Sequence, residues 1–249
     1  MNALFLSIVI PAYNEELRIG STLERITHYL KPRGRPFELV VVDDGSEDRT
    51  ADIAREFGTN GTAEWNLRLL ANDGNRGKGY SVRRGMLEAQ GPYALLTDAD
   101  LSSPIEEISK LEKEVVDGSC DIAFGSRDLK ESDIQVRQSW FRETSGKIFN
   151  RLVRLSTGLP YADTQCGFKL FKMSSCRDLF QKQTIEGFSF DVEILYMARK
   201  WGLTLKEVPV VWRHSEGSRV RFAPDAFQMA WDLLRIRWND VRGKYRNKS

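Results

Sequence analysis

Apolar, β-rich runs alternate with helical patterns through the first half of this 249-residue chain, and that alternation leaves few folds open. The runs are Leu4–Ile10, Phe37–Val42, Leu67–Ala71, Tyr93–Thr97 and Asp121–Phe124. Between them lie helical spacings at Glu15–Leu30, Glu47–Phe57, Lys78–Ala89 and Ile105–Val116. Strands joined by single helices pair in parallel through right-handed crossovers. The expectation is an α/β fold with a mostly parallel central sheet and helices on both faces. Ser46 and Ser103 are expected helix N-caps, with Pro104 at the first helical position. Ligands of such sheets bind beyond the carboxyl ends of the strands. Three polar turns stand there, Pro11-Ala-Tyr-Asn-Glu15, Asp43-Asp44-Gly45-Ser46 and Asp98-Ala99-Asp100, and they are predicted to share one crevice.

The second half changes character. Trp140–Leu155 is a long amphipathic pattern, Asp163–Lys172 a turn and short strand, Phe190–Lys200 a helix, Leu205–Trp212 a strand and Pro224–Tyr245 a final helix. No linker or repeat divides the sequence, so a single domain over 1–249 is expected. Charge does divide it. Residues 1–125 hold 14 Lys and Arg against 21 Asp and Glu, net −7; residues 126–249 hold 23 against 14, net +9. The basic half suits an anionic partner. No zinc-finger spacing or aromatic RNA-binding signature marks that partner as nucleic acid.

Asp98 and Asp100, two residues apart past a buried run, are positioned to converge on one divalent cation. A hard ion such as Mg²⁺ or Mn²⁺ takes oxygen ligands and keeps positions open for substrate phosphates. With two histidines, His28 and His214, a His-rich zinc site is not expected. Three cysteines without C-x-x-C spacing predict reduced thiols and a cytosolic setting. No window reaches the roughly 18–20 apolar residues of a membrane span, and Ala3–Ile10 reads as a first strand, not a signal peptide.

Together these motifs resemble glycosyltransferase family 2, nucleotide-sugar transferases of the GT-A fold. The matching residues are Ile10-Pro-Ala-Tyr-Asn-Glu15, Val40-Val-Val-Asp-Asp-Gly-Ser46, Asn75-Arg-Gly-Lys-Gly79 and Asp98-Ala-Asp100. In the second half, Gly125-Ser-Arg127, Arg137-Gln-Ser-Trp-Phe-Arg142, Asp163-Thr-Gln-Cys-Gly-Phe-Lys-Leu-Phe171 and Phe190-Asp-Val-Glu193 resemble the dolichyl-phosphate glucosyltransferases. Two departures stand out. Membrane-embedded members carry transmembrane helices not seen in this sequence. Some mannosyltransferase relatives follow Asp-x-Asp with Leu-Gln and use the Gln at the metal, whereas Leu101-Ser102 follows here.

The resemblance implies donor binding by residues 1–125, acceptor binding by 126–223, and a basic amphipathic helix over 224–249. Asp100 would hold the metal, with Asp98 on the metal or the donor ribose. Pro11, Ala12, Tyr13 and Glu15 would wall the uracil and ribose, with Ala99 beside them. One of Asp43 and Asp44 would bind the base or ribose and the other would serve structure, and the sequence does not choose. Lys78 would meet the donor phosphates, or simply begin a helix. Arg127 and Arg142, with Arg137 and Lys169, would grip an acceptor phosphate through arginine's planar fork. Asp163 would stabilise the sugar or orient the acceptor, completing a catalytic set of Asp100, Asp163 and Arg127. One of Asp191 and Glu193 would reach the site edge, and Cys166 would pack.

The implied reaction is inverting transfer of glucose from UDP-glucose to a dolichyl or polyprenyl phosphate, assisted by Mg²⁺ or Mn²⁺. Alternatives are another donor (GDP-mannose, UDP-N-acetylglucosamine), a hydroxyl acceptor, or a nucleotide-sugar binder without catalysis. A hydroxyl acceptor needs a carboxylate base; a phosphate, already anionic, does not. The expected setting is cytoplasmic, peripheral on a membrane's cytoplasmic face, with a homodimer possible. The Trp- and Arg-rich last helix either packs on its domain or lies in the membrane interface.

Overall fold

The structure, a computed structural model, describes residues 3–118, 120–136, 140–213 and 222–247, with side chains 135–136, 140–148 and 222–226 outside that description. Strands β1 (Leu6–Ala12), β2 (Phe37–Asp43), β3 (Trp65–Ala71) and β4 (Tyr93–Leu96) alternate with helices α1 (Ile19–Leu30), α2 (Thr50–Gly58) and α3 (Lys78–Glu88). Then come α4 (Ile108–Val115), β5 (Ile122–Ser126), β6 (Asp133–Val136), α5 (Trp140–Thr157), β7 (Lys169–Lys172), α6 (Met173–Lys182) and α7 (Phe190–Lys200). Strands β8 (Leu205–Pro209) and β9 (Val211–Arg213) precede the last helix, α8 (Phe222–Val241).

Seven strands form one sheet in the order β3-β2-β1-β4-β7-β5-β8, and only β7 runs antiparallel to its neighbours. Adjacent residues of a strand point to opposite faces. Val9, Val40 and Val42 therefore enter one core with Val82, Met86, Phe171 and Phe180. Ile8, Ile10, Leu39 and Val41 enter the other, with Ile19, Leu23 and Ile108. Burial on both faces is why the strands read as unbroken apolar runs. From β1 the chain winds outward to β2 and β3, then returns to the other side of β1 with β4. That reversal is a topological switch point, and it opens a crevice beyond the ends of β1 and β4.

Some expectations change. Leu205–Trp212 is not one strand: after Pro209 the chain leaves the main sheet, and β9 pairs with β6, an element the sequence did not reveal. Backbone groups take new partners there, with Val211 N–H donating to Glu107 Oε2 at 3.0 Å and Arg213 N–H to the Ser102 carbonyl at 2.8 Å. Ser46 does not cap α2; its Oγ accepts the Asn14 N–H at 2.9 Å, while Asp48 Oδ1 accepts the Thr50 N–H at 2.9 Å. Ser103 Oγ meets Cys166 Sγ at 3.7 Å instead of capping a helix, and Pro104 precedes the first helical residue. Among the described residues no helix is long and apolar enough to cross a membrane.

Candidate active site

β1 ends at Ala12, β2 at Asp43, β4 two residues before Asp98, and β5 one residue before Arg127. Because β7 is antiparallel, it begins at this same edge: Lys169 lies between Leu96 of β4 and Phe124 of β5. The amino ends of α3 (Lys78) and α7 (Asp191) complete the ring. Parallel topology with one reversed strand thus brings the charged residues of both halves to one place.

The turn after β4 is tight. Leu101 has φ 46°, and Asn14 in the facing turn φ 54°, conformations non-glycine residues seldom adopt. The Asp98 carboxylate lies against the Gly167 backbone, where an added Cβ would sit 2.2 Å from Oδ2. Asp98 Oδ1 contacts Lys78 Nζ at 2.6 Å. Gly77, at φ 99°, lets the start of α3 approach the Glu186 carbonyl. Asp100 accepts two hydrogen bonds from Ser102, from its N–H and its Oγ, each at 2.9 Å.

Opposite charges share this space. Burial pulls the Lys78 ammonium down, but Asp98, Asp191 and Asp100 outweigh it and its pKa rises. Burial pushes Asp98 up, yet Lys78, Lys169 and Arg127 hold it below the usual carboxylate range. Asp191 is raised by burial despite Lys169 2.7 Å away. Arg127 binds Asp163 bidentately, Nε to Oδ2 at 2.6 Å and Nη2 to Oδ1 at 2.9 Å, and Asp163 is fully buried. Burial opposes both charges there, and their mutual attraction wins, raising Arg127 and lowering Asp163.

The neighbours Asp43 and Asp44 separate cleanly. Asp44 accepts the N–H groups of Arg76 and Gly77 at 2.9 Å each and the Asn72 amide at 2.7 Å, pinning the loop before α3. Asp43 uses Oδ2 on the Ser46 N–H at 3.3 Å, while its buried Oδ1 has no protein partner. An orphaned buried acceptor is costly and invites a ligand donor. Pro11 and Ala12 are buried beside it; Tyr13 and Glu15 are half-buried, and Glu15 is tied to Arg18 at 2.6 Å.

Two expected site residues have protein partners of their own. Lys169 is buried, bonded to Asp191 and, at 2.5 Å, to the Cys166 carbonyl. Asp163 has both oxygens on Arg127, with Oδ1 also accepting the Gln165 N–H, and this contact engages the Nε–Nη2 edge of Arg127. Arg137 and the Arg142 side chain lie outside the described residues. Of Asp191 and Glu193, Asp191 joins the charged ring. Glu193 is buried on Thr184, Ile185 and Tyr245 and braces the loop that carries Glu186. Glu207 and Asn72 escaped notice, because one carboxylate or amide in a strand or turn carries no motif. Glu207 accepts the Ala162 and Asp163 N–H groups.

Asp98 and Asp100 present hard oxygen donors, engaged by the Lys78 ammonium and by Ser102 respectively. No group of three or more His, Cys, Asp and Glu able to hold a metal occurs among the described residues. The pair fits a cation whose remaining positions go to substrate phosphate and water.

The profile of glycosyl transferase family 2 matches residues 7–180, from β1 through α6. The chain belongs to this family. It is similar to dolichyl-phosphate beta-glucosyltransferases of Dictyostelium discoideum (34% identical, 99% of this chain and 78% of the relative) and Drosophila melanogaster (39%, 94% and 74%). The Saccharomyces cerevisiae relative of the same description is 36% identical over 98% of this chain and 77% of its own. Its GT-A fold is shared with mannosyl-3-phosphoglycerate synthase from Rubrobacter xylanophilus (TM-score 0.68, 18% identity, 99% of this chain and 76% of that one). It is also shared with glucosyl-3-phosphoglycerate synthase from Mycobacterium tuberculosis, solved with Mn²⁺, UDP and glucosyl-3-phosphoglycerate (TM-score 0.67, 19%, 95% and 80%). The family 2 profile spans both the Asp98–Asp100 turn and the Asp163–Phe171 string, so all of the charged ring but Asp191 lies within the matched region.

Proposed function

We propose that this chain is an inverting glucosyltransferase that moves glucose from UDP-glucose to a dolichyl or polyprenyl phosphate. The observation that carries this reading is similarity over nearly the whole chain to dolichyl-phosphate beta-glucosyltransferases. An acceptor phosphate oxygen attacks the anomeric carbon from the face opposite UDP. The new C–O bond forms as the bond to the diphosphate breaks, giving a β-linked lipid-phosphate glucose and UDP. The nucleophile is already anionic, so no base is needed; this agrees with an Asp163 occupied by Arg127.

Asp43 Oδ1 accepts the uracil N3–H, and Pro11, Ala12, Tyr13 and Glu15 wall the base and ribose, with Ala99 below. Asp98 and Asp100 hold Mg²⁺ or Mn²⁺, which when bound neutralises charge on the departing diphosphate. Lys78 transfers its contact from Asp98 to a donor phosphate. Arg127, its Nε–Nη2 edge fixed by Asp163, offers its Nη1 donors to the acceptor phosphate, and Arg142 remains a second candidate for that grip. Positioning two anions for in-line attack is where much of the rate arises.

The test is transfer of radiolabelled sugar from UDP-glucose, GDP-mannose and UDP-N-acetylglucosamine to a short polyprenyl phosphate, with a glycan hydroxyl acceptor in parallel. Label should pass from UDP-glucose to the lipid phosphate. Preference for GDP-mannose, or for the hydroxyl acceptor, overturns the reading.

A further inference from the structure

Helix α8 turns Phe227, Trp231, Leu234 and Trp238 outward as an exposed stripe and buries Leu233, Ile236 and Asn239. Just past its end, the Tyr245 side chain is fully buried. The Tyr245 hydroxyl donates to Glu193 Oε1 at 2.5 Å. The Asn239 amide donates to that hydroxyl at 3.3 Å and to Thr184 Oγ1 at 2.9 Å. Glu193, also fully buried, accepts further bonds from the Thr184 N–H at 3.0 Å, the Thr184 hydroxyl at 2.6 Å and the Ile185 N–H at 2.8 Å. Each of these partners of Glu193 is a donor, a pattern that an acceptor-only carboxylate satisfies and an amide does not. The network lies beyond residues 7–180, the region matched to the family.

What this network holds is the loop between α6 and α7, and that loop seats the start of α3. Helix α3 begins at Lys78 without a side-chain cap, so its first-turn N–H groups need partners from elsewhere. The Glu186 carbonyl supplies one, accepting the Tyr80 N–H at 3.1 Å. The Gln183 amide bridges loop and helix, donating to the Gly79 carbonyl at 2.8 Å and to the Ile185 carbonyl at 2.9 Å. The approach is backbone on backbone. A Cβ at Gly77 would sit 2.5 Å from the Glu186 oxygen, and one at Gly79 2.6 Å from the Ile185 oxygen. With no side chain between them to absorb a displacement, the loop and Lys78 move together.

We propose that Glu193 and Tyr245 are positioning residues for donor binding. They fix the loop against the start of α3 and so set where Lys78 presents its ammonium to the donor diphosphate. Both are 0% exposed, so neither touches the donor itself and each acts through the loop. This role rests on Lys78 meeting the diphosphate, as in the function proposed above. It makes the end of the chain, far from the nucleotide turns in sequence, a determinant of nucleotide affinity.

The experiment is a double-mutant cycle on the full chain, read by titration calorimetry with UDP and with GDP in the presence of Mn²⁺. Glu193→Gln keeps the shape but turns an amide toward groups that are themselves donors. Tyr245→Phe removes one bond, keeps the ring in place, and carries the test should Glu193→Gln not fold. Each should weaken the tighter-binding nucleotide about threefold to fivefold, no more than the loss of Lys78 itself. In the Lys78→Gln background the same substitutions should cost nothing further, because the group they position is gone. Tyr196→Phe, which removes the bond to Asp240 between the same two helices, should lower the melting temperature and leave nucleotide affinity at the wild-type value. Losses that add to that of Lys78→Gln, wild-type affinity in Tyr245→Phe, or no binding of either nucleotide would each overturn the role. Non-additive losses seen with GDP in place of UDP, or seen without any sugar transfer to polyprenyl phosphate, would remove the proposed function and leave the positioning role standing.

Discussion

The turn after β4 and the turn after β5 each carry an ion pair at the same edge of the sheet. Lys78 meets Asp98 through one contact of 2.6 Å, with side chains 25% and 33% exposed. Arg127 meets Asp163 through two, at 2.6 and 2.9 Å, with the carboxylate fully buried and accepting a further bond at 3.2 Å from the Arg127 backbone N–H. A single partly wet contact yields readily to a competing ligand. A bidentate pair with a fully buried carboxylate does not, because separating it strands the Asp163 charge without water. Like charges thus serve different ends, exchange on one side of the crevice and rigid placement on the other.

The largest effect should fall on the exchangeable side. Asp100→Asn removes one charged oxygen donor, and its partner, Ser102, can still bond the amide. Turnover should drop about 10³-fold, the scale of losing a charge-stabilising group at a phosphoryl leaving group. The melting temperature should hardly move. A variant that unfolds, or that turns over normally in EDTA, contradicts an exchangeable metal-binding turn.

On the rigid side the loss should be in stability. Asp163→Asn leaves Arg127 facing a neutral group and should cost about 3 kcal/mol in urea unfolding. Arg127→Met combined with Asp163→Leu should cost less than Asp163→Asn alone, since no charge is then stranded. The pH response follows from the lowered Asp163 pKa. The folded value lies below the unfolded one, about 3.9. The pair's stabilisation is therefore complete above that pH and is lost as pH falls through the folded value. Asp163→Asn should flatten this acid limb. An unchanged limb would mean the pair contributes nothing.

Asp43 and Asp44 repeat the contrast one residue apart. Asp43→Ala should weaken UDP about tenfold, the worth of one hydrogen bond to a charged acceptor, and leave GDP little changed. Asp44→Ala should instead loosen the loop before α3 and lower the melting temperature before it alters nucleotide choice. Titration calorimetry beside thermal melts separates the two; the reverse pattern would exchange their roles.

Much of this edge was legible beforehand, because periodicity reports which positions are buried. The strand–helix alternation located β1 to β5, and the three polar turns do share the crevice. What stayed hidden depends on contacts between distant segments. Nothing local distinguishes Asp43 from Asp44; Arg76, Gly77 and Asn72, from another loop, decide it. The resemblance of its string places Lys169 at the acceptor phosphate, yet β7, antiparallel between β4 and β5, carries it into the interior. The stripe on α8 was readable as amphipathic, but which face packs required the neighbouring helices.

The smallest effect tests the exchange itself. Lys78→Gln removes the ammonium from Asp98 and keeps a polar side chain at the start of α3. Two consequences of opposite sign should follow. Without nucleotide, Asp98 is released, and Mn²⁺ alone should bind about fivefold more tightly, the equivalent of about 1 kcal/mol for a partly exposed pair. With UDP present, the lysine's contact to the diphosphate is gone, and UDP affinity should fall by a similar factor. Neither change should vary between pH 6 and 8, because the ammonium's pKa is raised and the carboxylate's is lowered, so both stay charged throughout. Manganese binding followed by electron paramagnetic resonance, beside calorimetry of UDP, reads the two signs separately. If Lys78→Gln weakens both ligands equally, the ammonium organises the turn instead of competing for it, and the Lys78–Asp98 pair joins Arg127–Asp163 as fixed architecture.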